Sequence, residues 1–228
     1  MAFNKKYKYK RKPYHRKKFK PKYKKYSKNI GAKGGGLPDN VYMVLKYADT
    51  FTLTSTVGTV AEQQYAINDL DDPDYSNNGS NHQPMLYDQL AGIYSTYQVH
   101  GAAFKITCVG VTANSPGMLM LTGRDEVTIP VSSLKQSLEQ NNVSSRVVTG
   151  YEGMNKVVFN KYLSIKRIKG LKKLMNEGVT SFGSSPTNRV FGNVLWQSLN
   201  ESSTSACNLL VQIKFYVSLK NKKLISMS

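Results

Sequence analysis

The chain has 228 residues, which is long enough to bury one substantial core, and its formal net charge of +18 at pH 7 favours polyanionic partners. Nucleic acid, anionic membranes and sulfated glycans are such partners. No apolar run is long enough to cross a membrane, and no apolar signal core follows the basic N-terminus, so we expect a cytosolic protein without membrane insertion. Cys108 and Cys207 lie in apolar alternating runs, which is typical of buried thiols rather than of a disulfide framework.

The positive charge is concentrated in an N-terminal arm, residues 1–38. This arm contains thirteen lysines, two arginines and no acidic residue, so it carries +15 and leaves +3 for the other 190 residues. It has few large aliphatic side chains, so it cannot bury enough surface to offset the entropy of ordering. Pro13 and Pro21 exclude a continuous helix, and Gly31 with the glycines at 34–36 forms a flexible hinge. We therefore expect the arm to be disordered until it binds a partner.

The composition of the arm predicts a nucleic-acid-binding segment. Lysine and arginine neutralise phosphates and release counterions, and interspersed tyrosines stack on unpaired bases of any sequence. Lysine acts more as a mobile point charge than as a rigid bidentate group, which favours packing of a strand over reading of its bases. The alternative is a solubilising or purely import-directing tail, since the clusters at 5–12 and 16–25 would also suit a nuclear import receptor. The predicted nucleic-acid-binding residues are Lys5, Lys6, Lys8, Lys10, Arg11, Lys12, Arg16, Lys17, Lys18, Lys20, Lys22, Lys24, Lys25, Lys28, Tyr7, Tyr9, Tyr14, Tyr23 and Tyr26.

After Pro38 the composition changes to one rich in Val, Thr, Leu and Tyr, so we expect a folded domain over residues 39–228. Alternation of apolar and polar residues predicts strands at 41–53, 97–111, 117–121, 156–168, 190–199 and 209–219. The last strand is the clearest, because six apolar side chains from Leu209 to Leu219 alternate with polar ones. Short helices are predicted at 84–93, where Leu86, Leu90 and Ile93 share a stripe, and at 130–138.

Many strands joined by long loops, with only short helices, indicate an antiparallel sandwich or barrel. No alternation of strands with helices points to a parallel sheet. A basic disordered arm attached through glycines to such a domain is the arrangement expected of an all-β, antiparallel jelly-roll sandwich of the viral capsid type. An oligonucleotide-binding barrel is the antiparallel alternative, although it is usually smaller than this domain.

A second basic run follows the predicted strand at 156–168. It could line the inner wall of an assembly or bind a glycan on the outside, and a solvated loop is an equally good interpretation. Its members are Lys166, Arg167, Lys169, Lys172 and Lys173.

A cluster of aspartates in the loop after residue 68 could supply oxygen ligands for calcium between subunits. A turn built on Asp72 and Pro73 explains the cluster more simply, because the ordered spacing of a calcium loop is missing. The aspartates are Asp69, Asp71, Asp72 and Asp74.

Catalytic motifs are not found in the sequence. It has no GxSxG nucleophile elbow, no GxxxxGK[ST] phosphate loop and no HExxH zinc pattern, and its histidines are His15, His82 and His100. We therefore predict a protein that is not an enzyme and has no catalytic residue, metal or cofactor.

Four features together span most of the chain. They are the Lys/Arg/Tyr arm, the segment QPMLYDQLAGIYSTYQV at 83–99, the pair Ser185–Pro186 before a Trp-containing strand, and VQIKFYVSLKNKK at 211–223. In these features the chain resembles the capsid proteins of circovirus-like, Rep-encoding single-stranded DNA viruses. The resemblance implies an eight-stranded jelly roll, a shell of sixty identical subunits, a genome-facing arm and import into the host nucleus. The arm departs from the better-known circoviral pattern in being dominated by lysine rather than arginine.

The predicted function is a capsid protein of a virion that self-assembles into a small icosahedral T=1 shell and packages single-stranded DNA. Sixty inward-facing arms would carry about 900 positive charges, enough to neutralise on the order of a thousand phosphates. One alternative is the coat protein of a small RNA virus or satellite, and another is a cellular architectural nucleic-acid-binding protein. The sequence identifies neither the host nor its receptor.

Overall fold

The computed structural model describes residues 37–76, 82–110, 116–127, 133–149, 156–200 and 202–223. The secondary structure of these ranges consists of strands and three short helices. In chain order the elements are β1 (Val41–Ser55), β2 (Ala61–Ala66), α1 (Tyr87–Ala91), β3 (Tyr94–Gly110), β4 (Gly117–Arg124), α2 (Leu134–Glu139), β5 (Ser144–Val148), β6 (Lys156–Ser164), α3 (Ile165–Ile168), β7 (Val179–Ser181), β8 (Phe191–Ser198) and β9 (Ser205–Lys222).

The strands form two antiparallel sheets. The first sheet has the order β1-β9-β3-β6, with the short β7 paired to β3, and the second has the order β2-β8-β4-β5. Only β4 and β5 are consecutive in the chain and also neighbours in a sheet, because nearly every other connection crosses from one sheet to the other. Apart from β7, the eight strands therefore form the antiparallel jelly-roll sandwich that the sequence predicts.

Strand β9 lies at the centre of the first sheet. It pairs with β1 from Leu219 opposite Val41 to Ser205 opposite Ser55, and on its other side it pairs with β3. From Cys207 to Tyr216 its buried inward side chains alternate with exposed ones, as in Ile213 beside Lys214, whereas Ser218 at an outward position is also buried. The alternation predicted for this strand is confirmed, and it places one face of β9 against the core and the other outside.

The core lies between the two sheets and is filled by aromatic and aliphatic side chains. Phe104 of β3 packs close to Gly192 of β8, where an added Cβ would lie 2.7 Å from the Phe104 ring. The buried Trp196 donates a hydrogen bond from Nε1 to the Ser205 carbonyl at 3.2 Å, which ties β8 to the start of β9. Glycine at 192 thus permits the close approach of the two sheets.

Cys108 and Cys207 are buried, unpaired thiols on the adjacent strands β3 and β9. A hydrogen bond with Cys108, together with burial, raises the pKa of the Cys207 thiol above its ordinary value. Both cysteines therefore behave as small core residues, in agreement with the sequence-based expectation.

The predicted strands are confirmed, with some changes of their bounds. The strand predicted at 156–168 is wrong in its last four residues, which form α3 after β6 ends. The Ser164 hydroxyl accepts a hydrogen bond from the Arg167 N–H at 3.4 Å at the start of this helix. Strands β2, β5 and β7 were not predicted, since they are short and their sequences lack apolar alternation. The prediction at residue 111 lies outside the described residues.

The predicted helices are shorter than expected. In place of a helix at 84–93, α1 spans five residues, and Leu86 lies before it in a left-handed conformation with φ 74° and an exposed side chain. Leu86 therefore does not belong to the buried stripe, whereas Leu90 and Ile93 pack against the core. Helix α2 covers the end of the second predicted helix, and positions 130 and 131 lie outside the described residues.

In the described part of the chain, none of the helices has both the length and the apolar character that a membrane span requires.

Replacing Phe104 with Ala should lower the free energy of unfolding by about 3–5 kcal/mol, because a large aromatic ring would be lost from a site that is only 2% exposed. Val158→Ala is the matched control, since Val158 is 46% exposed on the outer face of the same sheet and should cost about 0.5 kcal/mol or less. Urea unfolding followed by Trp fluorescence measures both changes. Equal losses in the two variants would contradict the described core.

Candidate nucleic-acid interface

The predicted nucleic-acid-binding residues, from Lys5 to Lys28, all lie within residues 1–36 and so outside the described residues. The glycine hinge at 31–36 lies there too. The role of these lysines, arginines and tyrosines in binding nucleic acid remains a prediction. The described part of the chain shows instead the surface of the body that lies near Leu37, the first described residue after the arm.

The arm is joined to the body at one end of the first sheet. The described residues begin at Leu37, and the carbonyl of Pro38 accepts a hydrogen bond from the Tyr94 hydroxyl at 3.0 Å. Three residues later, Val41 begins β1 and pairs with Leu219. The attachment point is thus fixed beside the N-terminal end of β1 and the C-terminal end of β9.

The outer face of the first sheet is basic and has no exposed acid. Strands β3, β6 and β9 contain no Asp or Glu, and the one acid of β1, Asp49, is buried at an inward position. The outward-facing lysines of the four strands are Lys46, Lys105, Lys156, Lys214, Lys220 and Lys222, whereas Lys161 lies at an inward position and donates hydrogen bonds to the carbonyls of Leu121 and Asn142. With no carboxylate on these strands to neutralise them, the lysines make this face an attractive surface for a polyanion.

A shallow groove of about 1060 Å³ on the first sheet is lined by four lysines: Lys46, Lys105, Lys161 and Lys214. Lys46 of β1 lies directly opposite Lys214 of β9, and Lys105 of β3 is nearby on the other side of β9. Like charges placed opposite each other across strands repel, so binding of an anion here would relieve an unfavourable interaction. Asn160 and Gln212 also line the groove and offer amide groups for hydrogen bonds.

The second basic run is divided by the fold. Lys169 forms an ion pair with Glu177 at 3.2 Å, and the backbone N–H of Arg167 is used at the start of α3. Lys166, Lys172 and Lys173 instead line a pocket beside the first sheet, and none of them has a carboxylate partner in the described ranges. Part of the run is therefore structural and part is available for an anionic ligand.

His100 lines this pocket and lies at an irregularity of β3. The β3–β9 register shifts between Val99 and Gly101, so His100 is the extra residue of a bulge. Its Nε2 lies 3.0 Å from the Ser218 hydroxyl, and its ring centroid is 5.8 Å from that of Tyr42. Burial, with a smaller contribution from the charge of Lys220, lowers the pKa of His100 below its ordinary value. At neutral pH this imidazole is therefore uncharged.

The aspartate loop is held by its own hydrogen bonds. Asp69 is buried; its Oδ1 accepts hydrogen bonds from the backbone N–H groups of Asp71 (3.0 Å) and Asp72 (3.3 Å), and its Oδ2 accepts one from Arg189 Nε at 3.1 Å. Burial raises the pKa of the Asp69 carboxyl, although Ser185, Arg189 and the two N–H groups act in the opposite direction. The side chain therefore stabilises a turn.

Asp72 shares Arg189 with Asp69, whereas Asp71 and Asp74 have partners of their own. Asp71 accepts hydrogen bonds from Gln83 Nε2 at 2.8 Å and from the Tyr87 hydroxyl at 3.1 Å, and Asp74 accepts one from Gln63 Nε2. Within the described ranges, no group of three or more His, Cys, Asp or Glu side chains could hold a metal ion. These contacts favour the turn over the calcium interpretation.

The sequence pointed to the arm and to the second basic run, but it missed the lysines of the outer sheet face. Lys46 and Lys214 occupy even positions of alternating strands, which predicts that each is exposed. Their proximity depends on the pairing of β1 with β9, which one sequence does not reveal. The absence of acids from three long strands is the signal that could have identified this face.

No protein-family model matches the chain, and no curated protein matches it. Solved structures that resemble it include the decameric BFDV capsid protein, which is 11% identical, with a TM-score of 0.44 over 80% of this chain and 99% of that one. The mud crab tombus-like virus structure is 11% identical, with a TM-score of 0.46 over 84% and 94% of the two chains. Desmodium yellow mottle tymovirus is 14% identical, with a TM-score of 0.38 over 85% and 94%.

The lowered pKa of His100 predicts a specific pH dependence of stability. The unfolded chain binds a proton at this imidazole more readily than the folded chain, so stability should fall as pH drops below about 6.5 towards the folded-state pKa. Replacing His100 with Gln should remove this part of the dependence. Thermal unfolding midpoints at fixed protein concentration between pH 7.5 and 5 test the prediction, and an equally steep decline in wild type and variant would contradict it.

Proposed function

We propose that the chain is a viral capsid protein whose jelly-roll body self-associates into a closed shell and whose basic arm packages single-stranded nucleic acid. The observation that carries the proposal is the division of charge. The arm has +15 within residues 1–38, whereas the remaining 190 residues carry only +3. A nearly balanced body can associate with copies of itself without strong repulsion, while the arm binds a polyanion.

The chemistry of the arm supports packaging without sequence preference. Its lysines act as mobile charges that neutralise phosphates wherever a strand passes, and its tyrosines offer flat surfaces to unpaired bases. Neither contact distinguishes one base from another. A genome must be condensed along its whole length, so a sequence-tolerant contact is the useful one.

The outer face of the first sheet supports a second contact between body and strand. The arm is attached at one end of this sheet, and the groove with Lys46, Lys105 and Lys214 lies on the same sheet. A strand neutralised by the arm would therefore meet a basic face rather than an acidic one. We infer that this face is turned towards the interior of the shell.

DNA is the preferred cargo because the chain resembles circovirus-like capsid proteins in its arm and C-terminal strand. That resemblance also supports a sixty-subunit shell and import of the protein into the host nucleus by the same arm. The contacts themselves accept RNA equally, since lysine and tyrosine recognise phosphate and base faces common to both polymers. Digestion of the packaged polymer with DNase or RNase separates the two cargoes.

Deletion of residues 1–36 tests the division of labour. The body should still fold, because β1 begins only at Val41, but nucleic acid should be lost from the purified protein. The ratio of absorbance at 260 to that at 280 nm measures this loss, and circular dichroism reports whether the strands remain. In the full-length protein, affinity for single strands should fall steeply with salt, by about 0.7 in log-log slope per neutralised phosphate.

The matched control keeps every charge of the arm and replaces its five tyrosines with Ala. This variant should still retain nucleic acid, with a weaker preference for single strands over duplex, because only unpaired bases offer their faces for stacking. The tyrosines replaced are Tyr7, Tyr9, Tyr14, Tyr23 and Tyr26. A deletion variant that folds and carries as much nucleic acid as the full-length protein would show that the arm is not the packaging element, and the import-directing interpretation would then be preferred.

A further inference from the structure

A basic pocket of about 470 Å³ opens at the end of the first sheet where β1 begins. Within the described ranges, four lysines and no acidic residue line it: Lys166 on α3, Lys172 and Lys173 in the loop that follows, and Lys220 on β9. Its volume lies within the range of about 300–1,000 Å³ typical of sites for small ligands. A group that carries negative charge is therefore favoured there.

Exposed aromatic rings stand at the mouth of this pocket. Tyr42 of β1 is 77% exposed, and its ring lies 5.8 Å from that of His100. Tyr162 of β6 is 52% exposed and packs edge-on against Tyr216, with the centroids 5.6 Å apart. Large exposed rings next to lysines match a ligand that has both a flat apolar surface and an anionic group.

The pocket is held in shape by a buried amide. Gln98 is only 2% exposed, and its Nε2 donates hydrogen bonds of 2.8 Å to the carbonyls of both Met175 and Glu177. Its Oε1 accepts a hydrogen bond of 3.0 Å from Lys220 Nζ. One side chain of β3 thus connects the loop that carries Lys172 and Lys173 to a lysine of β9.

The bulge in β3 explains why the rings can gather here. Tyr162 lies across Gly101, where an added Cβ would be 2.6 Å from the Leu163 carbonyl and closer still to the Tyr162 hydroxyl. Only glycine leaves room for this crossing. The neighbouring His100 projects from the bulge towards Ser218, so the irregular strand brings an imidazole and a phenol to the same pocket.

We propose that this pocket binds one unpaired nucleotide of the packaged strand, with the base against Tyr42 and Tyr162 and the phosphate on the lysines of the second basic run. The proposal deepens the proposed function and rests on it. It also gives Lys166, Lys172 and Lys173 a role that the sequence alone left open.

Position favours nucleic acid over a sulfated glycan. Tyr42 is the second residue of β1, so the pocket lies close to the point at which the arm joins the body. Tyr162 lines both this pocket and the groove that contains Lys46, Lys105 and Lys214, so the two sites form one path. A strand bound by the arm would reach the pocket first and the groove next.

Photocross-linking of the full-length protein tests the proposal. The probe is a single-stranded DNA that contains 5-iododeoxyuridine, which cross-links to aromatic side chains in contact with the base, and the linked peptides are mapped by mass spectrometry. We expect cross-links at Tyr42 or Tyr162 in addition to those in the arm. Cross-links confined to residues 1–36 would overturn the pocket but leave the proposed function standing, whereas a protein that binds no DNA at all would overturn both.

A pair of variants with matched charge provides the second readout. Lys172→Gln with Lys173→Gln should reduce the log-log salt slope for single-stranded DNA by about 1.4 and weaken the Tyr42 and Tyr162 cross-links. Lys135→Gln with Arg146→Gln removes the same charge from α2 and from β5 of the second sheet, and should leave those cross-links unchanged. If the pocket variant loses binding of a heparin oligosaccharide but keeps all DNA cross-links, a glycan site replaces the nucleotide site.

Discussion

The body depends on the central position of β9, which pairs with β1 on one side and β3 on the other. In this strand, residues 205–219 pair with residues 41–55, and the strand joins β1 to β3 within the first sheet. Because side chains alternate with a period of two, a slip of one residue would turn Lys214 into the core and Phe215 outwards. The apolar inner positions therefore fix the register of the sheet, and that register in turn places the lysines on the outer face.

The sequence predicted the strands in which apolar and polar residues alternate over a long stretch. Long strands such as β1 and β9 alternate over many residues, so their position and orientation could be recognised. Strand β2 could not, because its Gln63 and Gln64 are buried polar residues whose setting is made by the strands around them. The spacing of Leu86 from Leu90 and Ile93 predicts a helix stripe, but Leu86 lies before α1 with a left-handed backbone. In both cases the conformation depends on contacts with other parts of the fold, which the local sequence does not reveal.

Some features of the candidate interface could likewise be predicted from the sequence, and others could not. Charge in the arm is a property of composition, so it could be read directly, whereas the basic face of the body requires the pairing of Lys46 with Lys214. The pocket needs three further features: the bulge at His100, the turn of α3 after β6, and the buried amide of Gln98. None leaves a mark in a single sequence, although the second basic run was visible there. The pocket and the groove share Tyr162, so these two sites adjoin each other on the first sheet.

In the proposed function, copies of this chain assemble around nucleic acid into a closed shell. Electron microscopy of the purified full-length protein, mixed with single-stranded DNA at neutral pH and moderate salt, tests it most directly. We expect closed, uniform particles on the order of 20 nm across, the size of a shell built from about sixty domains of this size. A protein that remains a monodisperse monomer or dimer under these conditions, with its strands intact by circular dichroism, would contradict it.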